Sequence, residues 1–156
     1  MDVCESKIGR VVFARLSEGE DLLQSVTQIA EHANVSAGFF FLIGTLKKAN
    51  LGFFRDGKYE TRERDAPVEI VSCLGNISIK EEKAFAHAHI VVSDEKANAY
   101  GGHVMPKCLI GVTGELALIE TTGFRLSRRF DEKTKLFLLS MEKTSSRTRK
   151  EPFPSP

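Results

Sequence analysis

The chain has 156 residues, enough for one domain with a real core, and its 42% hydrophobic and 28% charged content are globular values that exclude a disordered polypeptide. Its 22 Lys and Arg against 21 acids leave a net charge of +1, which excludes strong field-driven attraction to nucleic acid or to an acidic membrane. The three cysteines, Cys4, Cys73 and Cys108, are odd in number and far apart, which argues against a disulfide framework and for a reducing compartment.

Met1-Asp2-Val3-Cys4-Glu5 has neither the basic nor the apolar stretch of a secretory signal. No apolar run approaches the ~20 residues of a membrane span, so the cytoplasm is the expected location, with the nucleus as alternative. Residues 8–16 are β-rich. Leu22, Leu23, Val26, Ile29, Ala30 and Ala33 then recur at helical spacing and predict one amphipathic helix ending near Asn34. The acids of Glu18-Gly19-Glu20-Asp21 are expected in its first turn, opposing the dipole. His32 lies on this helix and reads as a surface residue.

Residues 37–43, with Phe39-Phe40-Phe41, form a continuous apolar run that predicts a strand buried on both faces. Gly44-Thr45 should break it, with β character resuming over 46–54. Asp56-Gly57 signals a tight hairpin that returns through 59–62. Residues 68–79 predict the next strand, on which alternation places Glu69, Val71, Cys73, Ile77 and Ile79 on one face. Glu69 on an apolar face would be a candidate catalytic carboxylate, since a buried unpaired acid is costly and tends to serve a site. The competing reading is that Glu69 sits at the frayed start of the strand and faces water. Asn76 and Ser78 fall on the other face without an assigned role.

The most informative stretch is Phe85-Ala86-His87-Ala88-His89-Ile90-Val91-Val92-Ser93 with Gly101-Gly102-His103. In a strand, residues two apart share a face, so both imidazoles project the same way about 6–7 Å apart. Ser93-Asp94-Glu95-Lys96 supplies a polar turn. With the hairpin centred near Glu95, His103 falls opposite His87. Directly opposed residues have Cβ atoms about 4.5–5.5 Å apart, so three imidazoles meet at one point. That is the donor set of an open metal site, for which zinc is the default ion and nickel, copper and iron are alternatives. A lone His on an apolar strand is more often a hydrogen-bonded structural residue. Three in register are harder to read that way.

Beyond the hairpin, Met105-Pro106 makes a break and 107–120 is a further strand. Residues 125–130 are a shorter, basic strand, 131–135 a turn and 136–141 the closing strand. From residue 142 onward Ser, Pro and charge replace periodicity, which predicts a disordered tail over 142–156 behind a folded domain of residues 1–141. The sum is an α+β domain: one helix on a largely antiparallel sheet of seven or more strands.

Gly19-Glu20-Asp21-Leu22-Leu23, Ile43-Gly44-Thr45-Leu46, Leu51-Gly52-Phe53-Phe54, Val68-Glu69-Ile70, Leu74-Gly75-Asn76-Ile77-Ser78 and above all His87-Ala88-His89…Gly101-Gly102-His103 resemble the PPC (plant and prokaryote conserved) domain family. The likeness spans roughly residues 8 to 141. It implies an α+β domain assembling as a homotrimer, with His87, His89 and His103 binding Zn2+, and a fold similar to that of acetolactate decarboxylase. The turn Ser93-Asp94-Glu95-Lys96 departs from the family's frequent Asp-Gly pair. No Arg-Gly-Arg-Pro hook is present, which weakens the DNA-binding inference that the plant members would bring. Two functional classes follow. One is a metal-dependent enzyme, a lyase or hydrolase, with Glu69 or Glu115 as acid or base and Arg15, Arg55 or Arg125 holding an anionic small molecule. The other is a DNA-binding or protein-interaction module in which the metal is structural or absent.

Overall fold

A computed structural model of the chain describes residues 2–143. Within them are nine strands and one helix: β1 (Lys7–Ser17), α1 (Leu22–His32), β2 (Gly38–Arg55), β3 (Lys58–Arg64), β4 (Val68–Lys80), β5 (Lys83–Ser93), β6 (Ala99–Val104), β7 (Leu109–Thr122), β8 (Phe124–Asp131) and β9 (Leu136–Lys143). The class is α+β, with one sheet ordered β1-β7-β2-β6-β5-β4-β8-β9 and β3 paired onto β2. Pairings are antiparallel except between β4 and β8. Because β2 pairs with β4 as well as β6, the strands β2, β4, β5 and β6 make a closed circuit of hydrogen-bonded neighbours.

The helix forms where the apolar spacing predicts it, and it buries Leu22, Val26 and Ala30. The acids, however, precede the first turn. Asp21 is the N-cap, its Oδ1 accepting from Gln24 N at 3.0 Å. Its Oδ2 accepts from Lys107 N at 2.7 Å, and Leu22 N donates to Cys108 O at 2.9 Å. One carboxylate therefore starts the helix and ties it to the loop that leads into β7. Leu22, Val26 and Ala30 of the helix belong to one core cluster with Leu16, Phe40, Leu42, Ile77, Ala88, Ile90, Leu116 and Leu118 of the sheet.

Two strands differ from expectation. The segments 37–43 and 46–54 are one continuous strand, β2, carried through Gly44 by a bulge against β7 and β4. Gly44 has φ +132°, and a Cβ there would lie 2.1 Å from Thr113 O, so glycine is required at this point. Nor is β2 buried on both faces: Phe40 is wholly enclosed, while Phe39 and Phe41 are 36% and 44% exposed. A single helix can cover only one side of a sheet, and the other side keeps its apolar side chains in the open. In β4, Val71 is an extra residue between the pairs Ile70–Val92 and Ser72–Val91. That bulge reverses the alternation, so exposed Glu69 and Val71 do not share a face with buried Cys73 and Ile77.

The Asp56-Gly57 hairpin is present, with both residues at positive φ (51° and 80°), as a two-residue primed turn demands. Strand β9 runs on through Glu142 and Lys143, which pair with Arg125 and Phe124, so the folded part extends past residue 141. The remainder of the expected tail, 144–156, lies outside the described residues. Among the described residues no helix is long and apolar enough to cross a membrane.

Since Asp21 both caps α1 and anchors the loop before β7, Asp21→Ala should cost about 1–2 kcal/mol, the upper range for a lost cap. Urea unfolding followed by far-UV circular dichroism measures this, with native helix content expected at zero denaturant.

Candidate metal centre

The same alternation that builds the core builds the site. On β5, Ala86, Ala88, Ile90 and Val92 point into the core, so His87 and His89 take the outer face. Strand β6 brings His103 beside them. Its approach to β2 is close: a Cβ on Gly102 would lie 2.9 Å from Gly52 O.

The turn joining the strands is organised by Asp94. Its carboxylate accepts from Lys96 N at 3.0 Å, Asn98 N at 2.9 Å, Asn98 Nδ2 at 3.1 Å and the Tyr100 hydroxyl at 2.9 Å. These bonds, those of the Asn98 side chain foremost, hold the Asp94 carboxyl down to about pKa 2. Ala97 takes the left-handed conformation, φ 60°. The hairpin therefore centres on Lys96 and His103 stands opposite His89, where a turn centred on Glu95 would have set it opposite His87. A slip of two residues preserves which face each side chain takes, so the three rings still converge.

They converge closely. His87 Nε2 and His103 Nδ1 are 3.2 Å apart, and one ligand nitrogen from each of His87, His89 and His103 lies within 4.8 Å of the others. Ring centroids are 4.9 to 5.3 Å apart. Two nitrogens bound to one tetrahedral ion at ~2.05 Å would be about 3.3 Å apart. The closest pair already matches, and the wider separations are within reach of side-chain rotation. Burial, then the charge of Arg128 and the neighbouring rings, pull His87 down to about pKa 4. His103 is lowered by burial first, then by His89 and Arg128. Both shifts favour the neutral imidazole, which is the form that ligates a metal.

Two residues that the sequence did not single out complete the surroundings. Tyr59 of β3 stacks on His103, with centroids 4.7 Å apart and planes at 25°. Arg128 of β8 reaches over β4, where Ile79 and Ser127 make the parallel contact. Its Nη2 donates to Asn76 Oδ1 at 2.7 Å and its Nε to Ser78 Oγ at 3.1 Å. Asn76 is the cross-strand neighbour of His87. The polar pair Asn76 and Ser78, interrupting a β pattern, was the signal that something charged sits over this strand.

The other candidates lie elsewhere. Glu69 is exposed and pairs with Ser93, four residues along β5 from His89, or about 13 Å at ~3.3 Å per residue. Glu115 is exposed opposite Arg15 at the β1–β7–β2 end of the sheet. Arg55 lies by Glu60 at 3.9 Å, and Arg125 Nη2 donates to Glu82 Oε1 at 2.9 Å. Among the described residues the histidines thus have a guanidinium and an aromatic ring as neighbours, and none of these proposed acids or cations. Cys73 and Cys108 are buried among the core residues, and desolvation pushes the Cys73 thiol up to about pKa 12, so neither supplies a thiolate.

Comparison with known proteins agrees with this architecture. The family model described as the Plants and Prokaryotes Conserved (PCC) domain matches residues 4–122. A solved metal-containing protein from Archaeoglobus fulgidus is 31% identical with a TM-score of 0.81, covering 88% of this chain and 98% of its own. A plant- and prokaryote-conserved protein from Pyrococcus horikoshii is 27% identical with a TM-score of 0.83, covering 92% and 100%. A Ralstonia eutropha protein described as a candidate DNA-binding protein is 27% identical with a TM-score of 0.72, covering 82% and 89%. Among curated proteins, a bifunctional protein GlmU of Synechococcus is 32% identical over 141 residues, which are 89% of this chain. The chain spans only about a fifth of the length of such curated relatives, 22% in this case.

The electrostatics give a pH dependence. The unfolded chain protonates His87 near pH 6.5, whereas the folded metal-free protein keeps it neutral to about pH 4. Between those values the unfolded state binds more protons, so stability falls as pH drops from about 6.5 to about 4 and is unaffected by this group above that window. A 13C or 15N titration of the imidazole resonances, run beside denaturant melts at each pH, should show both effects. Arg128→Met should move the His87 midpoint upward.

Proposed function

The chain belongs to the Plants and Prokaryotes Conserved domain family, and we propose that it works as a homotrimeric metal-binding domain in which His87, His89 and His103 hold one transition ion, zinc by default. The observation that carries this reading is the convergence of three ligand nitrogens within 4.8 Å on one face of a hairpin. The donor chemistry fits: the rings of His87 and His103 are held neutral, and no cysteine is at hand to close a structural four-ligand site. Three protein ligands leave a position for a small molecule or water. Such an ion, when bound, supplies Lewis acidity toward a carbonyl or an acidified water. The name of the Archaeoglobus relative supports metal binding and leaves the metal's identity open.

Assembly into a trimer is supported by the uncovered side of the sheet. Phe13, Phe39, Phe41, Ile43 and Leu74 lie exposed on it, and Phe13 is 80% exposed. Apolar surface of that extent on a soluble domain marks an interaction face. The second reading, a DNA-binding module, rests on the name of the Ralstonia relative. A net charge of +1 gives such a module little electrostatic footing.

Elemental analysis of purified protein should find one ion per chain, and His87→Ala or His103→Ala should weaken it by more than the 10–100-fold typical of losing an outer-shell partner. Metal-free protein from every preparation, with unchanged melting on adding zinc, would count against the reading. Sedimentation should give a trimer, and Phe41→Asp should raise its dissociation constant about 100-fold or more, the scale of losing one aromatic contact (~3 kcal/mol). Retention on DNA should be weak and vanish by about 0.2 M salt.

A further inference from the structure

Strand β1 ends the sheet: it pairs with β7 along one edge, and among the described residues no strand takes its other edge. That open edge has defined limits. At one end Ser17 N donates to Glu20 Oε2 at 2.7 Å and Ser17 O accepts from Glu20 N at 3.3 Å. At the other end the pairing with β7 shifts between Ile8 and Val11, and Arg10 Nη2 donates to Ala33 O, just past α1, at 2.9 Å. Ser17 thus turns its N–H and C=O away from β7. Successive residues of a strand turn these groups to alternate sides, so Arg15, Phe13 and Val11 turn theirs outward as well. The neighbouring strand agrees. Thr121 N donates to Ala37 O, on the β2 side, and by the same alternation Ile119, Ala117 and Glu115, opposite Val11, Phe13 and Arg15, face β2. Three residues of β1 therefore present a row of outward donors and acceptors, which sheet proteins normally cover or blunt.

The same edge walls a cavity. A space of about 430 Å3 is lined by residues 12–16 without a gap and, across from them, by Ser25, Gln28, Ile29 and Ala33 of α1. A cavity on one face of a strand meets alternate residues, so one that meets five in succession runs along the backbone edge. An open edge with a groove beside it is the setting in which an extended peptide joins a sheet, its backbone paired and its alternate side chains in pockets. The charges select the partner. Strand β1 carries Lys7, Arg10 and Arg15 and no acid. Arg10 is taken by Glu120. Arg15 is exposed and makes no ion pair among the described residues, with Glu115 as its cross-strand neighbour on β7. Glu20 and His32 also line the cavity, and the Glu20 carboxylate is already engaged by Ser17 N. A second copy's β1 would bring the same cations, and residues 144–156 carry Arg147, Arg149 and Lys150 against Glu151. We propose that residues 11–16 bind an extended acidic segment of a partner protein as an added strand. Its backbone pairs with Val11, Phe13 and Arg15. Its side chains opposite Val12 and Ala14 are aliphatic and enter the cavity beside Ile29 and Ala33, and the one opposite Arg15 is a carboxylate on the outer face.

The test uses the full chain and a fluorescein-labelled heptapeptide of alternating Glu and Val, with a Lys and Val version as control, followed by fluorescence anisotropy. The acidic peptide should bind saturably and the basic one at least about 10-fold more weakly. Arg15→Glu should weaken the acidic peptide about 10-fold or more. N-methylation of the peptide reads strand addition on the wild-type protein. Methyl groups on alternate residues of one parity should abolish binding and those of the other parity should leave it, because only one edge of the added strand faces β1. Phe13→Pro, which removes an outward N–H and spares the β7 ladder, should lose the peptide while keeping its far-UV spectrum. Tolerance of both methylation patterns would overturn strand addition, and equal binding of the acidic and basic peptides would overturn the charge assignment. Displacement of the acidic peptide by a synthetic 144–156 segment would assign the edge to the chain's own residues. Dissociation of the protein's assembly by the peptide, read by sedimentation, would assign it to a second copy. Either result, or no binding to wild type, would overturn the proposed partner.

Discussion

The side-chain parity of β5 is the constraint on which the rest depends. Ala86, Ala88, Ile90 and Val92 must face the core for α1 and the inner sheet to pack. Once they do, His87 and His89 have no choice but the outer face. Core packing and site assembly are thus one requirement, met by one strand. The third histidine adds the demand that β6 return in an even register. Asp94 enforces it by gathering Lys96 N, Asn98 N, Asn98 Nδ2 and the Tyr100 hydroxyl on one carboxylate. An odd slip would send His103 to the far face, into the side of the sheet that Val104 occupies.

The chemistry of the centre is set as much by which charges are near as by the rings themselves. A carboxylate beside three imidazoles would raise their proton affinity and pair with Arg128. Glu69 and Glu115 stand instead toward other parts of the sheet, and the groups acting on His87 and His103 are cationic or neutral. The arrangement favours the neutral form of the His87 and His103 rings.

Local reasoning brought the three histidines to one face because their convergence depends on short-range rules. An i, i+2 pair in a strand and a histidine returning across a turn are legible from spacing alone, and an error of two in the register left their common face intact. The helix was equally plain from Leu22, Val26 and Ala30. Glu69 was grouped with Cys73 and Ile77 because nothing in 68–79 marks Val71, the inserted residue that reverses the parity of β4, while its other reading, a strand start facing water, agrees with its exposure. Phe39 and Phe41 were read as buried because an apolar run does not say whether one face or two is covered. Arg128 was out of reach for another reason. It meets Asn76 across 52 positions through a parallel contact between β4 and β8, and such pairings follow from the whole fold. Only the unexplained Asn76 and Ser78 hinted at it.

The uncovered face and the histidines are not separate features. One row of cross-strand neighbours runs from Phe13 through Ala117, Phe41 and Leu74 to His89 and His103. A second runs from Val11 through Ile119 and Phe39 to Asn76 and His87. Phe41 and His89 are two strands apart, about 10 Å at the ordinary spacing between strands. A copy seated on the phenylalanines would therefore reach the rim of the histidine cluster. It would strip water from the imidazoles and from Arg128 and strengthen each electrostatic interaction there. Burial already dominates the lowering of both His87 and His103 in a single chain, and further exclusion of water acts in the same direction. Association and binding of an ion at the cluster should then favour one another by linkage, since each favours the neutral state of the His87 and His103 rings.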